Sequence, residues 1–295
     1  MKRIIALALV LLMLFGLVAC SKPKFDRVTE GSITFTKGNF PKIITVNNYY
    51  SSVVSLAQAV LGCSFEEAKE FVILAESADK AYTCFADGEG DMIIAAEPSD
   101  VSKAYLSDKA VALKTNNIAF DALAVVTGAA NAVNALNIEQ VASIYSGETV
   151  AWNELGGTET SIEAYPVKGD ITKQLFDKYI AVNTDALIVP QRELVLENDT
   201  FKADQSFIAT ESSIGLILYS DFVLKSAHKT GNVKAFAVNG INLSDSTIKD
   251  GVYPFTLQIN ASVRDNGVVD YADILLNWLI TPMGIEIIQK VGFLV

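Results

Sequence analysis

The chain has 295 residues, and its 34 Asp and Glu outnumber its 23 Lys and Arg, so its formal net charge is −11 at pH 7. An acidic chain of this kind repels a phosphate backbone, which argues against nucleic acid as a partner. The length suffices for two hydrophobic cores, and we expect two lobes.

The N-terminal stretch has the pattern of a bacterial lipoprotein signal. Two basic residues precede an apolar run at residues 4–18, and Cys20 directly follows a small residue. The run is shorter than the roughly 20 residues that a membrane span requires, and a lipid on Cys20 would replace such a span. We predict a signal peptide at 1–19, a flexible tether at 20–31 and lipid anchoring to the extracytoplasmic face of the cell membrane. A transmembrane anchor is the alternative.

The first half of the chain alternates apolar runs with helix-capping patterns. Ser51 and Ser52 are placed to cap a helix that continues through Leu61. A capping box begins at Ser64, and Ser99 caps a short helix. We predict strands at residues 42–47, 71–76, 92–96, 111–115 and 120–128, and a further helix near 79–86.

The second half continues the alternation. Asn137 opens a helix that Gly147 ends, and the C-terminal segment contains two helical periods separated by Thr281 and Pro282. Strands that alternate with helices predict βαβ units and a mainly parallel sheet. The strands predicted in this half lie at residues 161–167, 212–220 and 233–240.

Six segments of the sequence, taken in order, match the pattern of a known protein family. The most specific is IYSGETVAWNELGG, and the next is the AEPSD run that follows the strand at 92–96. Together they resemble the extracellular phosphate-binding proteins of ABC transporters, especially their lipoprotein branch in Gram-positive bacteria. The full segments are TVNNYYSSVVSLAQAV, ADKAYTCFADGEGDMIIAAEPSD, NALNIEQVASIYSGETVAWNELGG, SSIGLILYSDF, VKAFAVNGINLSDSTIKDGVYPFTL and WLITPMGIEIIQKVGFL.

The resemblance implies a type II periplasmic binding protein fold of the α/β class. Two lobes, each a mainly parallel sheet flanked by helices, would be joined by strands that cross near residues 116–123 and 252–258. Lobe 1 would combine residues 32–117 with 253–295, and lobe 2 would contain 118–252.

The function implied by this resemblance is that of a lipid-anchored substrate-binding protein. Such a protein binds phosphate or a related small oxyanion in the cleft between its lobes and delivers it to the transporter permease. We expect a monomer without a cofactor. The alternative is a surface lipoprotein that uses the same fold as an interaction or sensing module, without a transported ligand.

Enzymatic function is not expected. The only histidine, His228, has no partner in a GxSxG-like motif, and the sequence contains no HExxH, CxxC or GxxxxGK[ST] pattern. Cys63 and Cys84 leave two alternatives open, because they can pair after export or each act as a small hydrophobic residue.

The resemblance places the ligand contacts at helix starts, where hydroxyl and backbone N–H groups surround a desolvated oxyanion. The family's arginine position falls on Pro166 or Val167, and its small-residue loop becomes Asp170-Ile171-Thr172. The candidate ligand-binding residues are Tyr50, Ser51, Ser52, Glu97, Ser99, Lys168, Asp170 and Thr172.

Asp170 is the unusual member of this set. A carboxylate about 4 Å from a unit anion costs about 4 kcal/mol at an effective dielectric constant near 20. Asp170 can therefore accept a proton from a protonated oxyanion, or it can face a ligand that is neutral or carries an amine. It can also simply cap its own helix, as Ser51 and Ser52 can cap theirs. For Glu97 and Lys168, the alternative is a side chain that lies in solvent and contacts no ligand.

Overall fold

A computed structural model describes residues 29–30, 33–165, 167, 170–181, 210–224 and 231–295. The predicted signal peptide, Cys20, most of the tether, Lys168 and His228 lie outside these described residues.

Strands and helices alternate along the described chain. The strands are β1 (Thr29–Glu30), β2 (Ile33–Thr34), β3 (Ile43–Val46), β4 (Val72–Ala75), β5 (Met92–Ala96), β6 (Leu113–Gly128), β7 (Ala135–Leu136), β8 (Glu163–Ala164), β9 (Ser213–Leu218), β10 (Val233–Ala235), β11 (Ala237–Val238) and β12 (Thr256–Arg264). The α-helices are α1 (Asn47–Leu61), α2 (Phe65–Ala68), α3 (Ala78–Ala86), α4 (Asp100–Asp108), α5 (Ile138–Ser146), α6 (Asp170–Tyr179), α7 (Tyr219–Leu224), α8 (Asp245–Lys249), α9 (Tyr271–Leu279) and α10 (Pro282–Lys290).

The main sheet combines parallel and antiparallel pairs. Its order within the described residues is β4-β3-β5-β12-β6-β9-β8, and β10 pairs with β6 beside this path. β3 runs parallel to β4 and β5, and β8 runs parallel to β9. The antiparallel pairs of this sheet all involve the long strands β6 and β12. The predicted α/β class is confirmed, with the parallel strands at the two ends of the sheet.

β6 connects the two parts of the sheet. Residues Leu113 to Ala122 pair with β12, and residues Leu123 to Gly128 pair with β9 and β10. We call β3, β4, β5, β12 and the helices packed on them lobe 1. We call β8, β9, β10, the second half of β6 and their helices lobe 2. The exact limits of the lobes, 32–117 with 253–295 and 118–252, remain a prediction.

β6 corrects the prediction of separate strands at 111–115 and 120–128, because it is one continuous strand. The polar Asn116 and Asn117 lie between the two predicted strands, and both pair with β12. The Asn116 side chain donates a hydrogen bond to the carbonyl oxygen of Leu276 at 3.1 Å. Tertiary pairing satisfies these polar groups, so the strand continues through them.

α1 begins earlier than the sequence predicts. Its first residue is Asn47, and Val46 occupies the N-cap position without a side-chain cap. Ser51 and Ser52 therefore lie inside the helix and do not cap it. The helix follows β3 directly, and its first turn buries Tyr49, of which 2% is exposed. Packing of an apolar face stabilises a helix more than a cap does, which explains the earlier start.

Strands predicted in the second half are shorter in the structure. The segment 161–167 is reduced to β8, and 212–220 is reduced to β9 because Tyr219 opens α7. The segment 233–240 divides into β10 and β11 at Phe236, whose side chain is fully buried.

The other predicted caps are confirmed where their partners are close in sequence. Ser64 and Glu67 form a capping box, and Asn137 forms another with Gln140. Gly147 ends α5 in the left-handed conformation with φ of 79°, which glycine adopts without steric cost. These local patterns are predictable because every partner lies within one helical turn.

Trp152 anchors the IYSGETVAWNELGG motif in lobe 2. Its ring stacks on Phe236 with a centroid distance of 5.6 Å, and its indole N–H donates to the carbonyl oxygen of Ser212 at 3.1 Å. Gly157 lies against it so closely that a Cβ there would be 3.0 Å from the Trp152 carbonyl oxygen. Trp278 is also buried.

Cys63 and Cys84 are free thiols, and Cys84 is buried as a small hydrophobic residue would be. Of the helices in the described part of the chain, none alone has the length and apolar character to cross a membrane. The C-terminal pair α9 and α10 meets that test only when joined, and it bends by 80°.

Gly284→Ala tests the junction between α9 and α10. A Cβ at Gly284 would lie 2.2 Å from the carbonyl oxygen of Trp278 and 2.8 Å from backbone atoms of Leu279. Because backbone atoms cannot move aside, we expect the free energy of unfolding to fall by about 3 kcal/mol or more in urea denaturation. Gly38→Ala is the control, since its Cβ would meet only Thr36 Oγ1 at 3.8 Å. Equal stability of the two variants would contradict this packing.

Candidate functional site

The carboxyl ends of the parallel strands carry the connections that face the cleft between the lobes. In lobe 1, β3, β4 and β5 precede α1, α3 and α4, and in lobe 2, β8 and β9 precede α6 and α7. Parallel strands end at a common edge, so their helix starts gather there. Each helix start carries free backbone N–H groups, and this edge is therefore rich in hydrogen-bond donors.

A carboxylate of lobe 2 occupies one of these donors in lobe 1. Asp170 Oδ2 accepts a hydrogen bond of 2.7 Å from the backbone N–H of Ala78, the first residue of α3. The hydroxyl of Ser77 caps the same helix by accepting from the backbone N–H of Lys80 at 3.1 Å. Burial raises the pKa of the half-buried Asp170 carboxyl, the Ala78 hydrogen bond opposes this rise, and nearby Asp79 adds to it.

A second carboxylate lies at the start of α4. Asp79 Oδ1 accepts hydrogen bonds from the hydroxyls of Ser99 and Ser102, each at 2.5 Å. Ser99 also caps α4, because its hydroxyl accepts from the backbone N–H of Ser102 at 3.1 Å. The predicted cap at Ser99 is confirmed, and its hydroxyl is already committed to a carboxylate of the protein.

Two cavities open between the lobes. The larger, which we call the Glu97 cavity, has a volume of about 350 Å³. Glu97 lines it from lobe 1, and Gln174, Lys178 and Tyr179 line it from α6. Lys178 is the only cationic residue of its described lining. Phe120, on the crossing strand β6, lines this cavity and the second one.

The smaller cavity, which we call the Asp121 cavity, has a volume of about 200 Å³. Asp121, Asp221 and Asp245 line it, and the described lining contains no Lys or Arg. The hydroxyl of Tyr219 donates to Asp245. Ser52 also lines this cavity. The electrostatic character of the Asp121 cavity is therefore opposite to that expected for an anion site.

Asp121 connects the crossing strand to lobe 2. Asp121 is 1% exposed, and its carboxylate accepts hydrogen bonds from Ser220 N at 3.0 Å, Ser220 Oγ at 2.6 Å and its neighbour Ala122 N at 2.8 Å. Burial raises the pKa of Asp121 to about 6, and the bonds from Ser220 and Ala122 limit the rise. The crossing strand is thus bound to the start of α7.

The predicted site residues divide into two groups. Ser99 and Asp170 meet at α3, through Asp79 and Ala78 respectively. The other predicted residues lie elsewhere. Two of them line cavities, Ser52 the Asp121 cavity and the exposed Glu97 the Glu97 cavity. Tyr50 packs against the core, Thr172 is buried, and Ser51 is exposed. Lys168 lies outside the described residues.

The start of α3 is the part of the site that sequence reasoning missed. Ser77, Ala78 and Asp79 directly follow the predicted strand 71–76, and a serine followed by an acid is a typical helix start. That signal was available in the sequence. The partner of Ala78, Asp170, is 92 residues away and could not be inferred from it. No pattern in the sequence near Asp121 indicated that this residue belongs to the site.

No group of three or more His, Cys, Asp or Glu side chains suited to a metal ion occurs among the described residues.

The family comparison agrees with this architecture. A family model described as a PBP superfamily domain matches residues 43–282. The chain therefore belongs to this superfamily of two-lobed binding proteins. No curated protein sequence matches the chain.

Solved structures show the same fold. The chain is similar to an ABC-type phosphate transport receptor from Vibrio cholerae, with a TM-score of 0.66, 17% identity and coverage of 86% of this chain and 99% of that one. It is similar to PstS from Borrelia burgdorferi, with a TM-score of 0.61, 15% identity and coverage of 86% and 98%. The tungstate-binding protein TupA from Desulfovibrio alaskensis matches with a TM-score of 0.53, 14% identity and coverage of 83% and 92%. The predicted type II binding-protein fold is confirmed.

The buried Asp121 predicts how stability changes with pH. Its pKa of about 6 in the folded chain exceeds the value of about 3.9 in an unfolded chain. Between these values the folded chain keeps a proton that the unfolded chain has lost. This group therefore lowers the free energy of unfolding as pH rises from about 4 to about 6, by about 3 kcal/mol in total.

We expect Asp121→Asn to remove this decline from urea unfolding curves recorded across the same pH range. Asp177→Asn is the control, because Asp177 is exposed on α6 and paired with Lys173. Parallel pH profiles for the wild type and Asp121→Asn would show that Asp121 does not titrate in this window.

Proposed function

We propose that the chain is a lipid-anchored substrate-binding protein of an ABC transporter. It binds phosphate or a related small oxyanion between its lobes and delivers it to the permease. Membership of the PBP superfamily supports a binding role. The similar structures named above include a phosphate transport receptor and a tungstate-binding protein, which supports a small oxyanion as the ligand.

One observation carries this proposal. Donors at the cleft helix starts already bind oxyanionic groups, which here are carboxylates of the protein itself. The Ala78 N–H holds Asp170, and the Ser99 hydroxyl holds Asp79. A phosphate oxygen, like a carboxylate oxygen, is an anionic hydrogen-bond acceptor, so the same donors suit it.

The charges of the two cavities favour one location for the ligand. Three acids line the Asp121 cavity, and a like charge about 4 Å away costs about 4 kcal/mol at an effective dielectric constant near 20. The Glu97 cavity offers Lys178 on α6 opposite Glu97. We place the oxyanion beside the start of α3 and outside the Asp121 cavity. Ser99, Asp170 and Thr172 belong to this proposed site.

The mechanism follows from the two-lobed fold. A ligand that contacts α3 from lobe 1 and α6 from lobe 2 favours the state in which these helices are close. The paired crossing strands β6 and β12 would act as the hinge, since they connect the lobes. The permease would recognise the closed form.

The presence of Asp170 at the proposed ligand position favours a second candidate function. Asp170 fills a donor that a transported anion would use, as expected for a surface module that keeps the fold without a solute. Such a module would use the outer faces of the lobes for interaction or sensing.

Calorimetric titration distinguishes the two candidates. The chain lacking residues 1–20 would be titrated with phosphate and with tungstate at low and moderate salt, with chloride at equal ionic strength as the control. We expect a binding heat and a rise in Tm, because a ligand at about 100 times its Kd adds about 2.7 kcal/mol of stability. If neither oxyanion produces a binding heat or a Tm shift, the result would favour the surface module.

Anchoring is tested separately. We propose that Cys20 carries the lipid, which the short apolar run and the small residue before the cysteine support. Cys20→Ser is expected to release the protein from the membrane fraction into the soluble extracytoplasmic fraction, as measured by fractionation and immunoblotting. Cys63→Ser is the control and should stay with the membrane. Retention of the Cys20→Ser protein in the membrane fraction would contradict lipid anchoring.

A further inference from the structure

We propose that Asp170 is an internal oxyanion that latches the two lobes together, and that an entering oxyanion must displace it from α3. The latch itself follows from the contact between the lobes. Only its competition with ligand rests on the proposed function.

The contact joins elements of different lobes. α6, which begins with Asp170, packs on β6 and β9 of lobe 2, whereas α3 packs on β3, β4 and β5 of lobe 1. The carboxylate and the Ala78 N–H are 2.7 Å apart although the two residues are 92 positions apart in sequence. This distance is at the short end of the range for hydrogen bonds to a charged group, and such bonds are stronger than those between neutral groups.

The donor at Ala78 depends on an acceptor from outside its helix. Ala78 is the first residue of a nine-residue helix, so its N–H has no partner within α3. The Ser77 hydroxyl serves Lys80 instead. The positive end of the helix dipole also favours a negative group at this point. The Asp170 carboxylate satisfies both requirements from the opposite lobe.

α6 is attached to other parts of the fold at both of its ends. Its last residue, Tyr179, donates its hydroxyl to the carbonyl oxygen of Thr256 at 3.0 Å, at the beginning of β12. Its first residue, Asp170, reaches lobe 1. Loss of the Asp170 contact would free the start of α6 while Tyr179 continues to hold its end beside the crossing strands. Lobe 2, with α6 packed on it, would then open away from lobe 1 on the side of Asp170.

The same geometry makes Asp170 a competitor of the ligand. One N–H cannot donate fully to two acceptors, and a carboxylate repels an anion beside it. The other nearby acid, Asp79, directs its Oδ1 to Ser99 and Ser102. Removal of Asp170 would therefore leave the Ala78 donor available and reduce the negative charge of the site.

Three variants test the latch against a matched control. Asp170→Ala removes the acceptor from lobe 2. Ala78→Pro removes the donor from lobe 1, at a first helical position where proline is tolerated. Asp170→Asn keeps an acceptor oxygen without the charge. Asp177→Ala is the control, because it removes an exposed acid from the same helix.

Small-angle scattering without ligand reports the opening of the lobes. We expect a larger radius of gyration for Asp170→Ala and Ala78→Pro than for the wild type, and no change for Asp177→Ala or Asp170→Asn. Circular dichroism confirms folding of each variant. Asp170→Ala and Ala78→Pro act from opposite lobes. The scattering of either variant therefore decides the result, provided that this variant folds. Scattering equal to the wild type in a folded variant would overturn the latch.

Titration with phosphate and tungstate reports the competition. We expect Asp170→Ala to bind at least about tenfold more tightly than Asp177→Ala, whereas Ala78→Pro binds more weakly because its donor is lost. Equal affinities for Asp170→Ala and Asp177→Ala would overturn the competition. If the variants open as expected but none binds either oxyanion, the latch stands and the proposed function fails.

Discussion

Backbone N–H groups at the starts of helices need acceptors, and this need organises the cleft. The parallel strands of both lobes end at the cleft, so several helix starts gather there. Carboxylates of the chain supply much of what is needed. Asp170 serves α3, Asp121 serves the backbone N–H of Ser220 in α7, and Asp79 accepts from the hydroxyl that caps α4. An acidic chain can keep these groups in a confined space because each one meets donors.

The donors that suit carboxylates also suit other oxyanions. The cleft therefore has two properties that oppose each other. Its donor geometry favours a small anion, whereas its charge opposes one. The Glu97 cavity and the Asp121 cavity divide these properties in space, because Lys178 lines the first and three acids line the second. Under the proposed function, ligand binding in such a cleft would depend on which carboxylates move when the lobes open.

Predictions made from sequence succeeded where the deciding contacts are local. The capping boxes at Ser64 and Asn137 and the stop at Gly147 involve partners within one turn, and the bounds of β5 match its continuous apolar run. They failed where remote packing decided. The strands predicted at 111–115 and 120–128 are one strand, because backbone pairing with β12 continues through Asn116 and Asn117. The start of α1 was set by burial of Tyr49 and not by the serines that follow it.

The sequence by itself determined the alternation of strands and helices, the acidity of the chain and the presence of an acid at Asp170, because periodicity, caps and composition are properties of short segments. Only the tertiary structure decided what that acid does. Asp170 meets Ala78 across 92 residues, and Asp121 meets Ser220 across 99 residues. Such pairs depend on the order of strands in the sheet and on the closeness of the lobes, and no local pattern encodes either. The same carboxylate is therefore an ordinary helix-start residue in the sequence and a contact between lobes in the fold.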